Sequence, residues 1–217
     1  MNFSFKDDVK INCNDEVRLQ GSLSIPENAR AIIIFSHGSG SSRFSSRNRQ
    51  VAEYLNEKGF GTLLFDLLTT EEDRYYYYRF NIELLTKRLA SATGWLEKFP
   101  AAKDCRIGYF GASTGAASAL AAAANLPQIG AVVSRGGRPD LAMENLQKVE
   151  APVLLIVGSL DTEVLELNMD AYRKLHCEKK LEVVDGATHL FEEPGAMDRV
   201  SKLAATWFKK YLLPVEV

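Results

Sequence analysis

The residues in this chain that could do chemistry together are a serine, an aspartate and a histidine that stand far apart in the sequence. Ser113 lies within Gly-Ala-Ser-Thr-Gly (111–115), directly after the apolar run 106–110 and before a stretch of small, helix-favouring residues. Gly-x-Ser-x-Gly between a strand and a helix is typical of a nucleophile elbow, a sharp turn that holds the serine hydroxyl clear of the sheet. A hydroxyl alone is a weak nucleophile, so this interpretation requires a base and an orienting carboxylate from elsewhere in the chain.

Asp161 and His189 each follow an apolar run and supply the two missing groups. Asp161 ends the segment PVLLIVGSLD, and His189 ends the segment LEVVDGATH. Serine, aspartate and histidine in this chain order are one known arrangement of a catalytic triad. We therefore predict Ser113 as the nucleophile, His189 as the general base and Asp161 as the carboxylate that orients the base. The alternative for His189 is a structural loop histidine, whereas His176, among charged residues, is typical of a solvated helix end.

The segment SHGSGSSR, which begins at Ser36, predicts the remainder of an oxyanion hole. One donor is expected from the backbone N–H of Thr114, and the second from the N–H of Ser39 or Gly40. The glycines of this segment allow the backbone to approach a ligand closely. His37 is expected to shape the loop through hydrogen bonds, with substrate contact as its alternative role.

Two arginines, Arg135 and Arg138, stand in the segment SRGGR after another apolar run. A guanidinium at such a strand end can bind a substrate carboxylate through two hydrogen bonds. The alternative is an ion pair within the protein, with Asp66, Asp140 or Asp161 as the partner.

The glycines around Ser113 also admit a second interpretation, a dinucleotide-binding turn. The chain contains Tyr-x-x-x-Lys at Tyr54 and Lys58, a pair that some dehydrogenases use. However, the glycine turn lies in mid-chain rather than in a first βαβ unit, and no acidic residue ends the following strand to hold a ribose. Tyr54 also precedes the turn, and both residues fit an ordinary amphipathic helix. No nicotinamide cofactor is therefore expected.

The pattern of apolar runs predicts the scaffold that positions these residues. Residues 5–11 and 16–25 alternate in polarity and predict an antiparallel hairpin around NCND. Six later runs are short and mostly apolar, which is typical of parallel strands buried on both faces: 31–35, 61–65, 106–110, 130–134, 152–157 and 181–184. Helical patterns lie between them at 46–58, 82–96, 114–124 and from Met197 to Tyr211. The prediction is a mostly parallel, doubly wound α/β sheet with helices on both faces and ligands beyond the carboxyl ends of the strands.

Length and composition set the outer limits of the function. The chain has 217 residues, of which 46% are hydrophobic and 25% charged, with a formal net charge of −2. One domain spanning 1–217 is expected, and neither nucleic acid nor a membrane is an expected partner. The cysteines, at 13, 105 and 177, form no CxxC pair, so we expect neither a metal site nor a disulfide framework. The expected location is the cytoplasm. The segment 135–151 is too short for a large lid, so a small, open cleft is expected.

With HGSGSS, GASTG, GSLD and GATH in this order, the chain resembles the α/β-hydrolases and, within them, the dienelactone-hydrolase-like family. The resemblance spans residues 17–212, and FDLLT, SRGGRPDL and ATHLFEEPGA are especially similar to small bacterial members. It implies an α/β-hydrolase fold, an acyl-enzyme formed at Ser113, and hydrolysis of small carboxylic esters or lactones without a metal or organic cofactor. The expected partner is the small-molecule substrate, bound by a monomer or a small homo-oligomer.

One residue departs from the family pattern. Dienelactone hydrolases are expected to have a cysteine at the elbow, where this chain has Ser113. Cys105 cannot replace it, because Cys105 precedes the same strand and would lie roughly 20 Å away at the opposite edge of the sheet. Serine suits esters, thioesters and lactones alike, so a thioesterase or acyltransferase with the same triad is an alternative. The other alternative is a catalytically silent scaffold that binds a partner, because a fold does not imply a function.

Overall fold

A mixed β-sheet runs through the computed structural model, which describes residues 1–13 and 16–213. Its strands within those residues are β1 (Phe3–Asn12), β2 (Arg18–Pro26), β3 (Ala31–Ser36), β4 (Gly61–Phe65), β5 (Arg106–Ala112), β6 (Ile129–Arg135), β7 (Val153–Gly158) and β8 (Lys179–Val184). They lie side by side in the order β1-β2-β4-β3-β5-β6-β7-β8. The residues Asn14 and Asp15 of the predicted hairpin turn lie outside the described residues.

The strand directions bring the candidate residues to one edge of the sheet. β1 and β2 form the predicted antiparallel hairpin, and β2 also pairs antiparallel with β4. Every neighbouring pair from β4 to β8 is parallel. These strands therefore end at a common edge, where Ser36 of β3 pairs in register with Gly111 of β5. The predicted mostly parallel sheet with an N-terminal antiparallel hairpin is confirmed.

Helices cover both faces of the sheet. Over the described residues they are α1 (Ser46–Glu57), α2 (Tyr76–Arg79), α3 (Ile82–Leu96), α4 (Thr114–Ala123), α5 (Thr162–Lys174) and α6 (Ala196–Leu212). α1 and α6 pack on one face, and α3, α4 and α5 pack on the other. The period-two geometry of a strand divides β3 between the two cores, because Ile33 and Phe35 face α1 and α6 whereas Ile32 and Ile34 face the opposite side.

The last strand, β8, departs from the prediction. The run 181–184 was expected to be buried on both faces, but the Val183 side chain is 45% exposed. β8 pairs with β7 alone among the described strands. It is an edge strand that α5 and α6 cover only in part, so the expectation of full burial was wrong here.

The connection between β6 and β7, which borders the carboxyl edge, contains little regular structure. The segment between β6 and β7 holds only the 3₁₀ turns Pro139–Ala142 and Leu146–Lys148. As its length predicts, the described residues form no large lid. None of the described helices is both long and apolar enough to cross a bilayer.

The segment 66–81, between β4 and α3, is anchored from beneath by an ion pair. Nη2 of Arg88, a residue only 2% exposed, lies 2.7 Å from Oε1 of Glu72. Oε2 of Glu72 accepts the backbone N–H of Thr69 at 2.8 Å. The outer surface of the same segment carries tyrosines that are 62–72% exposed, at positions 75, 76 and 77.

Candidate active site

Ser113 lies at the turn between β5 and α4 in a strained backbone conformation. Its φ of 51° and ψ of −121° fall in a region that residues with side chains rarely adopt. Three backbone hydrogen bonds hold the turn. The Ser113 N–H donates to the carbonyl of Arg135 at 3.2 Å, and the Ser113 carbonyl accepts from the N–H groups of Ala116 at 3.0 Å and Arg138 at 3.1 Å. This is the backbone geometry expected of a nucleophile elbow.

The two glycines of the motif are required by close packing of backbone against backbone. A Cβ added to Gly111 would lie 2.5 Å from Cα of Ala116. A Cβ added to Gly115 would lie 2.1 Å from the carbonyl oxygen of Ser36 and 2.5 Å from that of His37. The first turn of α4 therefore rests directly on the end of β3, which brings Ser113 close to the loop that follows β3.

His189 and Asp161 are joined by a short hydrogen bond. Nδ1 of His189 donates to Oδ2 of Asp161 at 2.6 Å. This tautomer leaves Nε2 of the ring without a proton, so Nε2 can act as a base. The two loops are fixed to each other by backbone contacts, because the N–H of Leu160 donates to the carbonyl of Ala187 at 3.0 Å. A Cβ added to Gly158 would lie 2.2 Å from that same carbonyl oxygen.

Ser113 and His189 both lie beside the peptide that joins Arg135 to Gly136. The Arg135 carbonyl accepts the Ser113 N–H, and a Cβ added to Gly136 would lie 3.6 Å from Cε1 of His189. The Ser113 hydroxyl makes no hydrogen bond within the described residues, so its link to the His189 ring is not formed here. Hydrogen bonds of this kind are often long in free enzymes and tighten when substrate binds.

His37 is buried and has both ring nitrogens engaged by the backbone. Nε2 accepts the N–H of Leu67 at 3.0 Å, which places the ring proton on Nδ1, and Nδ1 donates to the carbonyl of Gly38 at 3.0 Å. Burial lowers the pKa of His37 below its ordinary value, so the ring is neutral at physiological pH. His37 therefore ties the loop after β3 to the end of β4.

The predicted oxyanion donors lie together where this loop meets α4. A Cβ added to Gly38 would lie 3.1 Å from Cβ of Ser113. The N–H groups of Thr114 and Gly40 have no hydrogen-bond acceptor among the described residues. The N–H of Ser39 does have one, because it donates to Oγ1 of Thr114 at 2.9 Å. Two of the three predicted backbone donors are thus free, and the third is engaged by a side chain.

A narrow cavity opens beside these donors. It is lined by the oxyanion loop and by residues of the segment 66–81: His37, Gly38, Ser39, Gly40, Leu67, Leu68, Asp73, Arg79, Leu85 and Thr114. A second cavity of about 260 Å³ shares His37, Leu68 and Asp73 with it. The lining of the second cavity also includes an ion pair between Arg43 and Asp66.

Sequence reasoning missed Arg79, which lines the narrow cavity. Nε of Arg79 donates to the carboxylate of Asp73 at 3.0 Å. Nη1 of Arg79 points toward Gly40, since a Cβ added to Gly40 would lie 3.6 Å from it. The segment RYYYYRF (74–80) places Arg79 beside four tyrosines, and its residue types alone do not show which side chain faces the cavity. Tyr75, Tyr76 and Tyr77 are exposed, whereas Arg79 lines the cavity with its side chain 31% exposed.

The two arginines of SRGGR have different surroundings. Arg138 forms a bidentate ion pair with Asp140, with N–O distances of 2.9 and 2.8 Å. Arg135 is only 6% exposed and has no acidic partner among the described residues. One long hydrogen bond of 3.4 Å joins its Nη2 to Oδ1 of Asn48, and its guanidinium lies 5.8 Å from the ring centroid of Phe191. Burial, with a smaller contribution from Arg47, lowers the pKa of Arg135 to about 10, so the side chain stays charged at neutral pH.

The described residues contain no group of three or more histidine, cysteine or acidic side chains able to hold a metal ion. Cys105 lies before β5, at the opposite end of that strand from Ser113, and its Sγ contacts the carbonyl of Ala29 at 3.3 Å.

Comparisons with known proteins agree with this architecture. The sequence profile of the dienelactone hydrolase family matches residues 19–212. The crystal structure of a dienelactone hydrolase from Anabaena variabilis is 50% identical, with a TM-score of 0.94 over 96% of this chain and 99% of that one. The Pyrococcus furiosus esterase Pf2001, at 22% identity, has a TM-score of 0.79 over 95% of this chain and 93% of its own, which is a likeness of fold.

Two Mycobacterium tuberculosis proteins, provisionally named phosphoribosyl transferases, are 56% identical over 198 residues. The match covers 90% of this chain and 44% of each of those proteins. This chain therefore spans less than half the length of the curated relatives that it matches.

Proposed function

The chain belongs to the dienelactone hydrolase family, and from that premise we propose that it is a serine hydrolase of small carboxylic esters or lactones. The observation that carries the proposal is the 2.6 Å hydrogen bond between His189 and Asp161. It holds an imidazole with a free Nε2 at the same sheet edge as the strained turn at Ser113. In this proposal the three residues form the catalytic triad.

The reaction proceeds through an acyl-enzyme. The Ser113 hydroxyl rotates toward His189, and Oγ attacks the ester carbonyl as Nε2 takes the proton. Asp161 holds the ring and stabilises the imidazolium, while backbone N–H groups receive the carbonyl oxygen as it becomes an anion. The alcohol leaves with the proton from His189. A water molecule, deprotonated by His189, then attacks the acyl group, and Ser113 regains its proton as the acid is released.

The size of the substrate is proposed from the cavities beside the elbow. The second cavity, which adjoins the narrow one through His37, Leu68 and Asp73, has a volume of about 260 Å³. That is below the roughly 300–1,000 Å³ typical of sites for drug-sized ligands. Short acyl groups are therefore the proposed substrates. Thioester hydrolysis and acyl transfer use the same serine chemistry and are the alternatives within this class.

Arg135 is the proposed contact for a negatively charged substrate group. Two observations support this role. The Arg135 guanidinium is buried without an acidic partner among the described residues, and the backbone carbonyl of Arg135 accepts the Ser113 N–H. Arg138 lacks that support because Asp140 already pairs with it. We expect Arg135→Gln to raise KM for mono-p-nitrophenyl succinate more than for p-nitrophenyl acetate. Arg138→Gln is the matched control, and equal effects of the Arg135 change on both esters would contradict the role.

A serine-reactive fluorophosphonate probe tests the proposed function directly. The folded protein should be labelled, and Ser113→Ala should abolish both labelling and the hydrolysis of p-nitrophenyl acetate. The same panel of p-nitrophenyl esters should show rates that fall as the acyl chain lengthens. Folded protein that neither reacts with the probe nor hydrolyses any ester or lactone of the panel would instead support a silent binding scaffold.

A further inference from the structure

The hydrogen bond between Ser39 and Thr114 changes which atoms are available to an oxyanion. The Ser39 N–H, a predicted donor, points at Oγ1 of Thr114 over 2.9 Å rather than into open space. Thr114 is 2% exposed, and both residues line the narrow cavity beside the elbow. A donor that is already engaged has to give up one hydrogen bond before it can make another.

The Thr114 hydroxyl has an unused donor. A threonine hydroxyl offers one proton and two acceptor lone pairs. Oγ1 uses a lone pair to accept the Ser39 N–H, and its proton has no acceptor among the described residues. A buried hydroxyl donor without a protein acceptor is costly, and such donors occur where a ligand or a water molecule takes the hydrogen bond. Accepting a hydrogen bond also makes the hydroxyl a better donor, because linked hydrogen bonds polarise one another.

We infer that the Thr114 hydroxyl donates a hydrogen bond to the oxyanion of the transition state, beside the backbone N–H of the same residue. This inference rests on the proposed function of Ser113 as the nucleophile. Thr114 then supplies two donors, one from the backbone and one from the side chain. Ser39 supports the second donor from behind by fixing Oγ1 and increasing its acidity.

Position in the fold supports the assignment. Thr114 follows Ser113 directly and is the first residue of α4, so its side chain moves with the elbow. Gly38, the residue before Ser39, packs closely against the elbow, because a Cβ added to Gly38 would lie 3.1 Å from Cβ of Ser113. This contact keeps Ser39 beside the elbow. His37 fixes that loop to the end of β4 through both ring nitrogens. The hydroxyl is therefore preorganised rather than placed by chance.

The test compares Thr114→Val, which keeps the shape and loses the hydroxyl, with Thr114→Ser, which keeps the hydroxyl. Loss of an oxyanion donor typically lowers kcat by roughly 10²–10³-fold, and we expect that loss for Thr114→Val with KM nearly unchanged. Thr114→Ser should keep most of the wild-type kcat. Affinity for a trifluoromethyl ketone, whose adduct with Ser113 carries an oxyanion, should fall in Thr114→Val by the same factor as kcat/KM.

Thr93→Val is a matched control at a distance from the site. The Thr93 hydroxyl is also buried and bonded, to the hydroxyl of Tyr109 at 2.6 Å and to the carbonyl of Leu89 at 2.9 Å. Its loss should lower stability and leave kcat unchanged. Should Thr114→Val not fold, Thr114→Ala carries the same prediction.

Three results would overturn the inference. They are wild-type kcat in Thr114→Val, equal impairment of the serine and valine variants, and a raised KM with unchanged affinity for the ketone. The last would indicate a purely structural hydroxyl. Wild-type hydrolysis that depends on Ser113 is measured first, so a failure of the proposed function is seen separately from a failure here.

Discussion

Replacing Ser113 by glycine should stabilise the protein and abolish its proposed activity. The residue is held at φ 51° and ψ −121°, where a Cβ is strained and glycine is not. Its hydroxyl makes no hydrogen bond within the described residues, so removing the side chain sacrifices little bonding energy. Ser113→Ala is the matched control, because alanine loses the hydroxyl but keeps the strained Cβ.

The magnitude follows from two opposing contributions. A residue in such a region typically costs about 1–3 kcal/mol, which glycine would recover. Glycine also makes the unfolded chain more flexible, which typically costs about 0.4–1 kcal/mol. The net expectation is that the glycine variant is more stable than the alanine variant by about 1.3 kcal/mol, within a range of about 0–2.6 kcal/mol. In a chain of this length each kcal/mol corresponds to a shift in Tm of about 2–4 °C.

Urea unfolding and thermal melting of the wild type, Ser113→Ala and Ser113→Gly measure this difference. Neither variant should hydrolyse p-nitrophenyl acetate, so the gain in stability would be separated from catalysis. A glycine variant that is less stable than the alanine variant would refute the reasoning. It would mean that the backbone hydrogen bonds to Arg135, Ala116 and Arg138 define this conformation without strain.

Three further results are expected. Asp161→Asn should lower kcat for p-nitrophenyl acetate by about 10⁴-fold with little change in KM, because it disturbs the tautomer of His189. Gly115→Ala should lower the free energy of unfolding in urea by at least about 1–3 kcal/mol and impair hydrolysis, because the new methyl group would meet backbone oxygens. Its control is Gly94→Ala in α3, where the space is open, and this change should raise the free energy of unfolding by up to about 1 kcal/mol. The unfolding free energy should fall as pH drops below about 6.5, because burial lowers the pKa of His37 and the unfolded chain then binds its proton more readily; His37→Gln should flatten this dependence.

Much of the fold could be predicted because its signals are local. The run AIIIF predicts a strand buried on both faces, and β3 extends from Ala31 to Ser36 with every residue buried. The helical pattern predicted at 82–96 corresponds to α3, which spans Ile82–Leu96, and the Asn81 side chain caps it by accepting the N–H of Leu84 at 3.0 Å. The partial exposure of β8 could not be predicted, because burial depends on a strand's position in the sheet. Nothing within LEVV specifies that it is the last strand.

The candidate site divides in the same way. The ion pair between Arg138 and Asp140 could be predicted as an alternative to substrate binding, because the two residues are near neighbours in the sequence. The neighbours of Arg135 could not be predicted, since Asn48 comes from α1, 87 positions away. The bond from Ser39 to Thr114 depends on how closely α4 approaches β3. Motif spacing predicts which residues take part in the site. The hydrogen bonds from Arg135 to Asn48 and from Ser39 to Thr114 depend instead on how helices and strands pack together.

The close packing of α4 has a consequence for how this protein can be modified. All ten residues of α4 are buried, and six of them are alanines. Larger side chains there would push the reactive turn out of place, so mutational routes to new substrates through this helix are narrow. The tyrosines at positions 75–77 present the opposite case, because they project from a segment that Glu72 and Arg88 pin from below. In a directed-evolution library, positions 75–77 should therefore tolerate more substitutions than any position in α4.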